Sequence, residues 1–176
     1  MKTRIIGLGN TILSDDGVGI YTVREVARRL AETGNGAGPD IVESEVAGFA
    51  LMELMAGWDR VILADCIQFD HVQAGTVLPI DPDALRTSLK LRSVHEIDLP
   101  TALKLGDRLG LKMPHEVKIF GIQAQDAWTL GESLSPAVAV GMQRAVDLIL
   151  WEVNTPRPKS GGFVVTDSSP LAGQDR

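Results

Sequence analysis

Short aliphatic runs alternate along this chain with longer segments of helical periodicity, and this alternation constrains the fold more than any other feature. Residues 3–8 (TRIIGL) and 60–64 (RVILA) are apolar runs of the length of buried strands. Between them, residues 18–30 carry valine, alanine and leucine at helical spacing, with charged residues on the opposite side. The alternation predicts an α/β protein whose mostly parallel sheet is covered by helices on both faces.

Further elements follow from the same criteria. Strands are predicted at residues 40–46, 76–80 and 117–121, the second of them at a sheet edge because it contains Pro79. Helices are predicted at residues 50–55, 99–109 and 136–153, the last with Ser135 as its cap and Pro136 in its first turn. Residues 1–154 are therefore predicted to form a single domain. The remainder, residues 155–176, is rich in Pro, Ser, Gly and Asp and is predicted to be a disordered tail.

Composition excludes several classes of function. The formal net charge is −6 and no run of lysine or arginine offsets it, which argues against nucleic-acid binding. Every apolar run is shorter than the ~20 residues of a membrane helix, and the N-terminus lacks the apolar core of a secretory signal. The only cysteine, Cys66, excludes an intrachain disulfide and suits a reducing compartment. We therefore expect a soluble cytoplasmic monomer that binds neither nucleic acid nor membrane.

Polar residues follow the predicted strands at three places where an open α/β sheet gathers its functional groups. Asp15 and Asp16 lie in the loop after the first strand, Asp65 follows RVILA, and His95 precedes the next predicted helix. Two carboxylates and an imidazole suit nickel or zinc. Paired carboxylates that share a proton would instead activate water as aspartic peptidases do. Spacing alone leaves both possibilities open.

Each of these candidates also has a purely structural interpretation. Asp16 precedes a predicted helix, so it would cap that helix and interact favourably with its dipole. Asp65 would form a turn at the end of its strand. His95 would be a surface or capping histidine, which is the commoner situation for a single histidine without further context.

The glycines and the cysteine suggest two other chemistries, both of which we disfavour. Gly7 and Gly9 follow a strand as in a dinucleotide-binding fingerprint, but Ile12 occupies the place of the third glycine, and the acidic loop would repel a pyrophosphate. Cys66, next to Asp65, would act as a nucleophile together with His95, but a cysteine after a buried strand is usually a packing residue.

Taken together, the motifs resemble those of the hydrogenase maturation proteases, endopeptidases that process the large subunit of nickel–iron hydrogenases. The resemblance runs through GLGNTILSDDGVG, EVAGFALMELMAGWDRVILADCI, SVHEIDLPTAL and GIQAQDAWTLGESLSPAV, so it covers about residues 3–153. Two positions depart from the family pattern. The first-loop acid is aspartate where several members carry glutamate, and Ala124 stands where proline is common.

The resemblance implies both a fold and a function. Members of this family form three-layer α/β/α sandwiches, and they remove a short C-terminal peptide from the large-subunit precursor once nickel has been inserted. For this chain it implies a catalytic and metal-binding site made of Asp16, Asp65 and His95. The nickel would be carried by the precursor, or a divalent metal would reside in the enzyme. A non-catalytic chaperone that senses nickel would need the same three ligands. A peptidase for another folded precursor is a third possibility.

The composition of the tail yields a first testable prediction. Residues 155–176 hold too few apolar side chains to pack on the domain, so a chain that ends at Asn154 should unfold cooperatively, with a melting temperature within a few degrees of the full-length protein. Thermal unfolding followed by circular dichroism measures this. Loss of the cooperative transition in the shortened chain would show instead that the tail docks on the domain.

Overall fold

The computed structural model describes residues 1–34, 38–46, 49–80, 92–93 and 99–155, and within these residues a six-stranded sheet lies between two pairs of helices. In chain order the strands are β1 (Thr3–Leu8), β2 (Asp40–Ser44), β3 (Arg60–Gln68), β4 (Val77–Ile80), β5 (Arg92–Ser93) and β6 (Glu116–Gln123). The helices are α1 (Val18–Thr33), α2 (Phe49–Met55), α3 (Leu99–Arg108) and α4 (Pro136–Asn154), and a 3-10 turn, Ser14–Gly17, leads into α1.

The sheet is mostly parallel, as predicted. Its strand order is β2-β1-β3-β6-β4, and β5 pairs with the far end of β3. The pairings among β1, β2, β3 and β6 are parallel, whereas β4 and β5 run antiparallel to their neighbours. Pro79 lies on β4, the strand at one edge of this order, where the missing N–H is tolerated.

Alternate residues of the central strands pack against opposite helical layers. On one face, Ile5 and Ile62 pack with residues of α1 and α4. On the other, Ile6 and Leu63 pack with residues of α2 and α3. Because both faces of β1 and β3 are covered, their sequences are uninterrupted apolar runs instead of alternating patterns. The predicted α/β/α sandwich is confirmed.

The structure corrects the predicted end of β3. The strand continues for four residues beyond Ala64, to Gln68. These residues pair with β6 through Ile67, and Ile67 and Gln68 also pair with β5. Asp65 therefore lies inside the strand, not after it, but it is the first residue of β3 beyond the pairing with β1, which ends at Gly7 and Ala64. The prediction of the strand end at Asp65 is wrong because the acid interrupts the apolar run without ending the strand.

The first turn of α1 lies directly on the carboxyl ends of β1 and β3. A Cβ atom at Gly19 would come within 2.2 Å of the Leu8 carbonyl oxygen and 2.3 Å of the Ala64 carbonyl oxygen. Across the same contact, a Cβ atom at Gly7 would lie 2.5 Å from the Gly19 carbonyl oxygen. Only glycine permits this approach, which holds the turn that precedes α1 over the carboxyl edge of the sheet.

The longest described helix, α4, begins as predicted, with Ser135 at the N-cap and Pro136 in the first turn. The Ser135 side chain makes no capping hydrogen bond, however, because its hydroxyl binds a carboxylate outside the helix. Among the residues that the structure describes, no helix is both long and apolar enough to cross a bilayer.

The contact at Gly19 gives a second prediction. Gly19→Ala should lower the free energy of unfolding by about 1–3 kcal/mol or more, because the added methyl group forces α1 away from the sheet. Gly38→Ala is the matched control, since a Cβ atom there would meet nothing within 4 Å, and its effect should stay within about 0.5 kcal/mol. Urea unfolding measures both. Equal stability of the two variants would show that α1 can shift at no cost.

Candidate active site

Two of the three predicted site residues, Asp16 and Asp65, lie at the carboxyl edge of the parallel strands. Asp16 belongs to the 3-10 turn that follows β1, and Asp65 lies in β3 just beyond the end of β1. They are only 1% and 3% exposed, respectively. Because acidic residues are seldom buried to this degree without a specific partner or task, this edge is the candidate active site.

The turn that contains Asp16 folds back onto the loop before it. The Oδ2 atom of Asp16 accepts a hydrogen bond of 2.8 Å from the backbone N–H of Asn10. Gly9 has a φ of +142°, and a Cβ atom at this position would lie 2.0 Å from the Asp16 carbonyl oxygen, so glycine is needed here. Gly17, not Asp16, is the N-cap residue of α1, and no side chain caps that helix. The capping interpretation of Asp16 is therefore wrong.

Asp15, the neighbour of Asp16, has a different task. It is fully buried, and its carboxylate accepts four hydrogen bonds from the segment between β6 and α4. Oδ1 accepts from the Ser135 N–H at 2.6 Å, while Oδ2 accepts from the Gln125 N–H at 3.0 Å, the Asp126 N–H at 2.9 Å and the Ser135 hydroxyl at 2.9 Å. Asp15 thus anchors the turn to the segment between β6 and α4. The sequence offered no signal that separates the two.

The carboxylates at this edge affect the pKa of the Cys66 thiol. Its pKa is raised chiefly by burial and further by the carboxylates of Asp65, Asp16 and Asp15, which means that all three lie within electrostatic reach of one thiol. Cys66 packs in an apolar cluster with Val18 and other buried residues. A buried thiol with a raised pKa stays protonated at neutral pH, so the nucleophile interpretation is wrong and the packing interpretation is confirmed.

His95, the third predicted site residue, lies outside the described residues. The flanking chain is described on both sides, because Ser93 pairs with Ile67 and α3 begins at Leu99. Within the described part of the chain, no three His, Cys, Asp or Glu side chains are grouped so that they could hold a metal ion. The three-residue metal site stays a prediction. The other two histidines, His71 and His115, are exposed.

One departure from the family pattern has a visible structural consequence. Ala124 follows β6, and its backbone N–H donates a hydrogen bond of 2.9 Å to the carbonyl oxygen of Ile67. Proline, which we expected to be common at this position, has no N–H and could not make this bond. The bond joins the chain after β6 to the part of β3 that lies beyond Asp65.

The fold and this edge define an α/β/α protein with buried acids where parallel strands end, which is where open α/β sheets place their functional sites. A sequence profile described as "HycI: Hydrogenase maturation protease" matches residues 20–152. The chain therefore belongs to the hydrogenase maturation protease family, as its motifs indicated.

Individual relatives agree with this membership. The chain is 27% identical over 173 residues to "Hydrogenase expression/formation protein HupD" of Bradyrhizobium diazoefficiens. This match covers 98% of this chain and 86% of that protein. It superposes with a TM-score of 0.67 on the hydrogenase maturating endopeptidase HybD from Escherichia coli, at 23% identity over 86% of this chain and 91% of that one. For the [NiFe] hydrogenase maturation protease HybD from Thermococcus kodakarensis, the TM-score is 0.64 at 28% identity, over 87% and 99% of the two chains.

A third prediction concerns the anchoring role of Asp15. Asp15→Ala should lower the free energy of unfolding by about 2–4 kcal/mol, because it leaves several donors near the core without an acceptor. Asp147→Ala is the control: this carboxylate is 68% exposed and forms an ion pair with Arg29, and its loss should cost less than about 1 kcal/mol. Urea unfolding at neutral pH measures both. If both variants lose the same small amount, Asp15 does not anchor the turn.

Proposed function

We propose that this protein is an endopeptidase that removes the C-terminal peptide from a nickel-loaded hydrogenase large-subunit precursor. We further propose that it recognises the nickel through Asp16, Asp65 and His95. The observation that carries the proposal is the burial of Asp16 and Asp65 at one edge of the sheet, in a chain that belongs to the hydrogenase maturation protease family.

The register of β5 supports the inclusion of His95. β5 runs antiparallel to β3, with Arg92 opposite Gln68 and Ser93 opposite Ile67. Asp65 comes two residues before Ile67 in β3, and His95 comes two residues after Ser93 in the sequence. This short separation from a residue that pairs with β3 is our reason for including His95 in the proposed site.

The donor set and its burial fit a divalent cation. Carboxylates and imidazole bind first-row transition metals, nickel among them. Two buried carboxylates repel each other and lose hydration, and a dication between them offsets both costs. In this proposal the nickel arrives as part of the precursor. The site then binds the precursor strongly only after nickel insertion, which makes cleavage follow insertion.

Cleavage itself requires an activated water molecule. We propose that a carboxylate oxygen of Asp16 or Asp65 that does not bind the metal acts as general base. It takes a proton from the water as the water oxygen attacks the scissile carbonyl carbon, and it returns that proton to the departing amide nitrogen. If a divalent metal instead resided in the enzyme, Asp16, Asp65 and His95 would hold it, and it would lower the pKa of its bound water.

A fourth prediction tests the three residues together. Asp65→Asn keeps the size of the side chain but removes its charge, and His95→Ala removes the neutral ligand. Asp65→Asn should leave the protein folded because the two side chains have nearly the same shape, and we expect His95→Ala to remain folded as well. Each should lower the rate of precursor cleavage by about 10²-fold or more. Asp16→Glu should be milder because it retains an acid. Added free nickel should not rescue Asp65→Asn, since the lost ligand belongs to the protein.

Intact-mass analysis of nickel-loaded and nickel-free precursor, incubated with each variant, provides the measurement. Circular dichroism and urea unfolding verify that the variants are folded. A folded Asp65→Asn or His95→Ala protein that releases the peptide at the normal rate would overturn the three-residue site. A wild-type protein that binds only nickel-loaded precursor and never cuts it would be a nickel-sensing chaperone.

A further inference from the structure

Large apolar side chains are exposed next to the turn that carries Asp16. Ile12 is 53% exposed, Trp128 66% and Leu130 77%, and we term these three residues the apolar rim. Ile12 lies between β1 and the 3-10 turn, whereas Trp128 and Leu130 lie between β6 and α4. The two segments are joined by backbone hydrogen bonds, from the Gly131 N–H to the Ile12 carbonyl oxygen at 3.0 Å and from the Ser14 N–H to the Gly131 carbonyl oxygen at 2.6 Å.

The segment that presents Trp128 and Leu130 is firmly held. Asp15 binds it at both ends, as described above. Asp126 accepts hydrogen bonds from within the segment, and side chains of the turn and of α1 donate to its carbonyl oxygens. The further hydrogen bonds are Trp128 N–H and Thr129 N–H to Asp126 Oδ1 (both 3.0 Å), Tyr21 hydroxyl to Glu132 carbonyl oxygen (2.8 Å) and Ser14 hydroxyl to Ser133 carbonyl oxygen (3.2 Å). The exposure of the apolar rim is thus built into the fold. A segment whose backbone is already held in place also loses less conformational entropy when it binds a partner.

The surroundings of the apolar rim are acidic. Residues 126–132 contain Asp126 and Glu132 and no basic residue. The adjoining groove, which Glu132 also lines, contains Arg24 and Arg28, and both are ion-paired with glutamates. A surface that complements this one has apolar side chains flanked by lysine or arginine.

We propose that the apolar rim is the docking surface for the folded body of the precursor, and that it binds an apolar patch flanked by basic residues. The inference rests on the proposed function, which makes the substrate a protein, and it adds the surface that holds this substrate. Exposed apolar side chains on neighbouring segments mark interaction sites, and tryptophan is enriched among the residues that dominate binding energy. Because the apolar rim and the Asp16 turn are hydrogen-bonded to each other, docking places the precursor next to the acids.

The chain provides a matched control in Trp151. It is 62% exposed, close to the value for Trp128, but it lies near the end of α4 beside Glu152. Glu152 binds Arg60, the first residue of β3, so Trp151 lies at the amino end of the parallel strands, opposite the candidate active site. Replacing either tryptophan removes a similar exposed surface, and only one of the two is part of the apolar rim.

The test compares full-length Trp128→Ala, Leu130→Ala and Trp151→Ala as enzymes and as binders. The probe is the nickel-loaded large-subunit precursor of a nickel–iron hydrogenase encoded by the same genome. Trp128→Ala should raise both KM and Kd about tenfold while kcat stays within about twofold, because the apolar rim contributes uniform binding. Leu130→Ala should act in the same direction, and Trp151→Ala should change neither constant by more than about twofold. Affinity should fall with added salt, and Glu132→Lys should weaken binding.

Fluorine NMR of protein labelled with 5-fluorotryptophan gives a readout that does not depend on cleavage. The Trp128 resonance should shift when the precursor is added, whereas the Trp58 and Trp151 resonances should not. Indistinguishable Trp128→Ala and Trp151→Ala variants, with a wild type that cleaves, would overturn the docking surface and leave the proposed function standing. A wild type that binds without cutting, and in which only Trp128→Ala weakens Kd, would support the docking surface and overturn the peptidase.

Two further outcomes would overturn the inference. A wild-type protein that neither binds nor cuts the precursor would remove both the docking surface and the proposed function. Self-association of the protein that Trp128→Ala abolishes, with no change in precursor affinity, would show that the apolar rim binds a second copy of this chain. Analytical ultracentrifugation over a range of concentrations detects that case.

Discussion

The first turn of α1 rests against the carbonyl oxygens of Leu8 and Ala64, and the geometry of the candidate site depends on this contact. Gly19 and Gly7 make it possible, since a side chain on either would collide with backbone atoms across the interface. Because the first turn of α1 contacts the sheet at this point, the 3-10 turn that precedes α1 lies over the carboxyl edge of the strands. Asp16 is therefore brought to the same edge as Asp65 although the two are far apart in sequence.

The adjacent acids Asp15 and Asp16 show how identical side chains acquire different tasks. The carboxylate of Asp15 is surrounded by four donors from the segment between β6 and α4, so its charge stabilises the fold. Asp16, the next residue, accepts a hydrogen bond from the Asn10 N–H within its own loop. Together, the anchored turn and the strand bring two negative charges to a place with little access to water. In the proposed function, a cation bound there would offset the cost of burying the two carboxylates.

The proposed function and the docking surface divide the work of recognition. Nickel bound by the buried acids would make recognition conditional, because the precursor lacks this contact before insertion. The apolar rim would supply affinity that does not depend on nickel and would hold the folded body of the precursor while its C-terminal peptide reaches the acids. Both features lie on segments tied to each other through Gly131 and Asp15, so they act as parts of one surface.

A strand that is buried on both faces has a continuous apolar sequence. For this reason the sequence by itself determined the strands at residues 3–8 and 60–64, the helices between and after them, and the sandwich they form. The motifs also indicated the family. The sequence did not reveal that Asp65 lies inside its strand, because an acidic residue after an apolar run is also the pattern expected where a buried strand ends. Nor could it separate Asp15 from Asp16 or assign the hydroxyl of Ser135. Only the tertiary structure decided these points, because the partner that distinguishes Asp15 lies 120 residues away along the chain and is brought to it by folding.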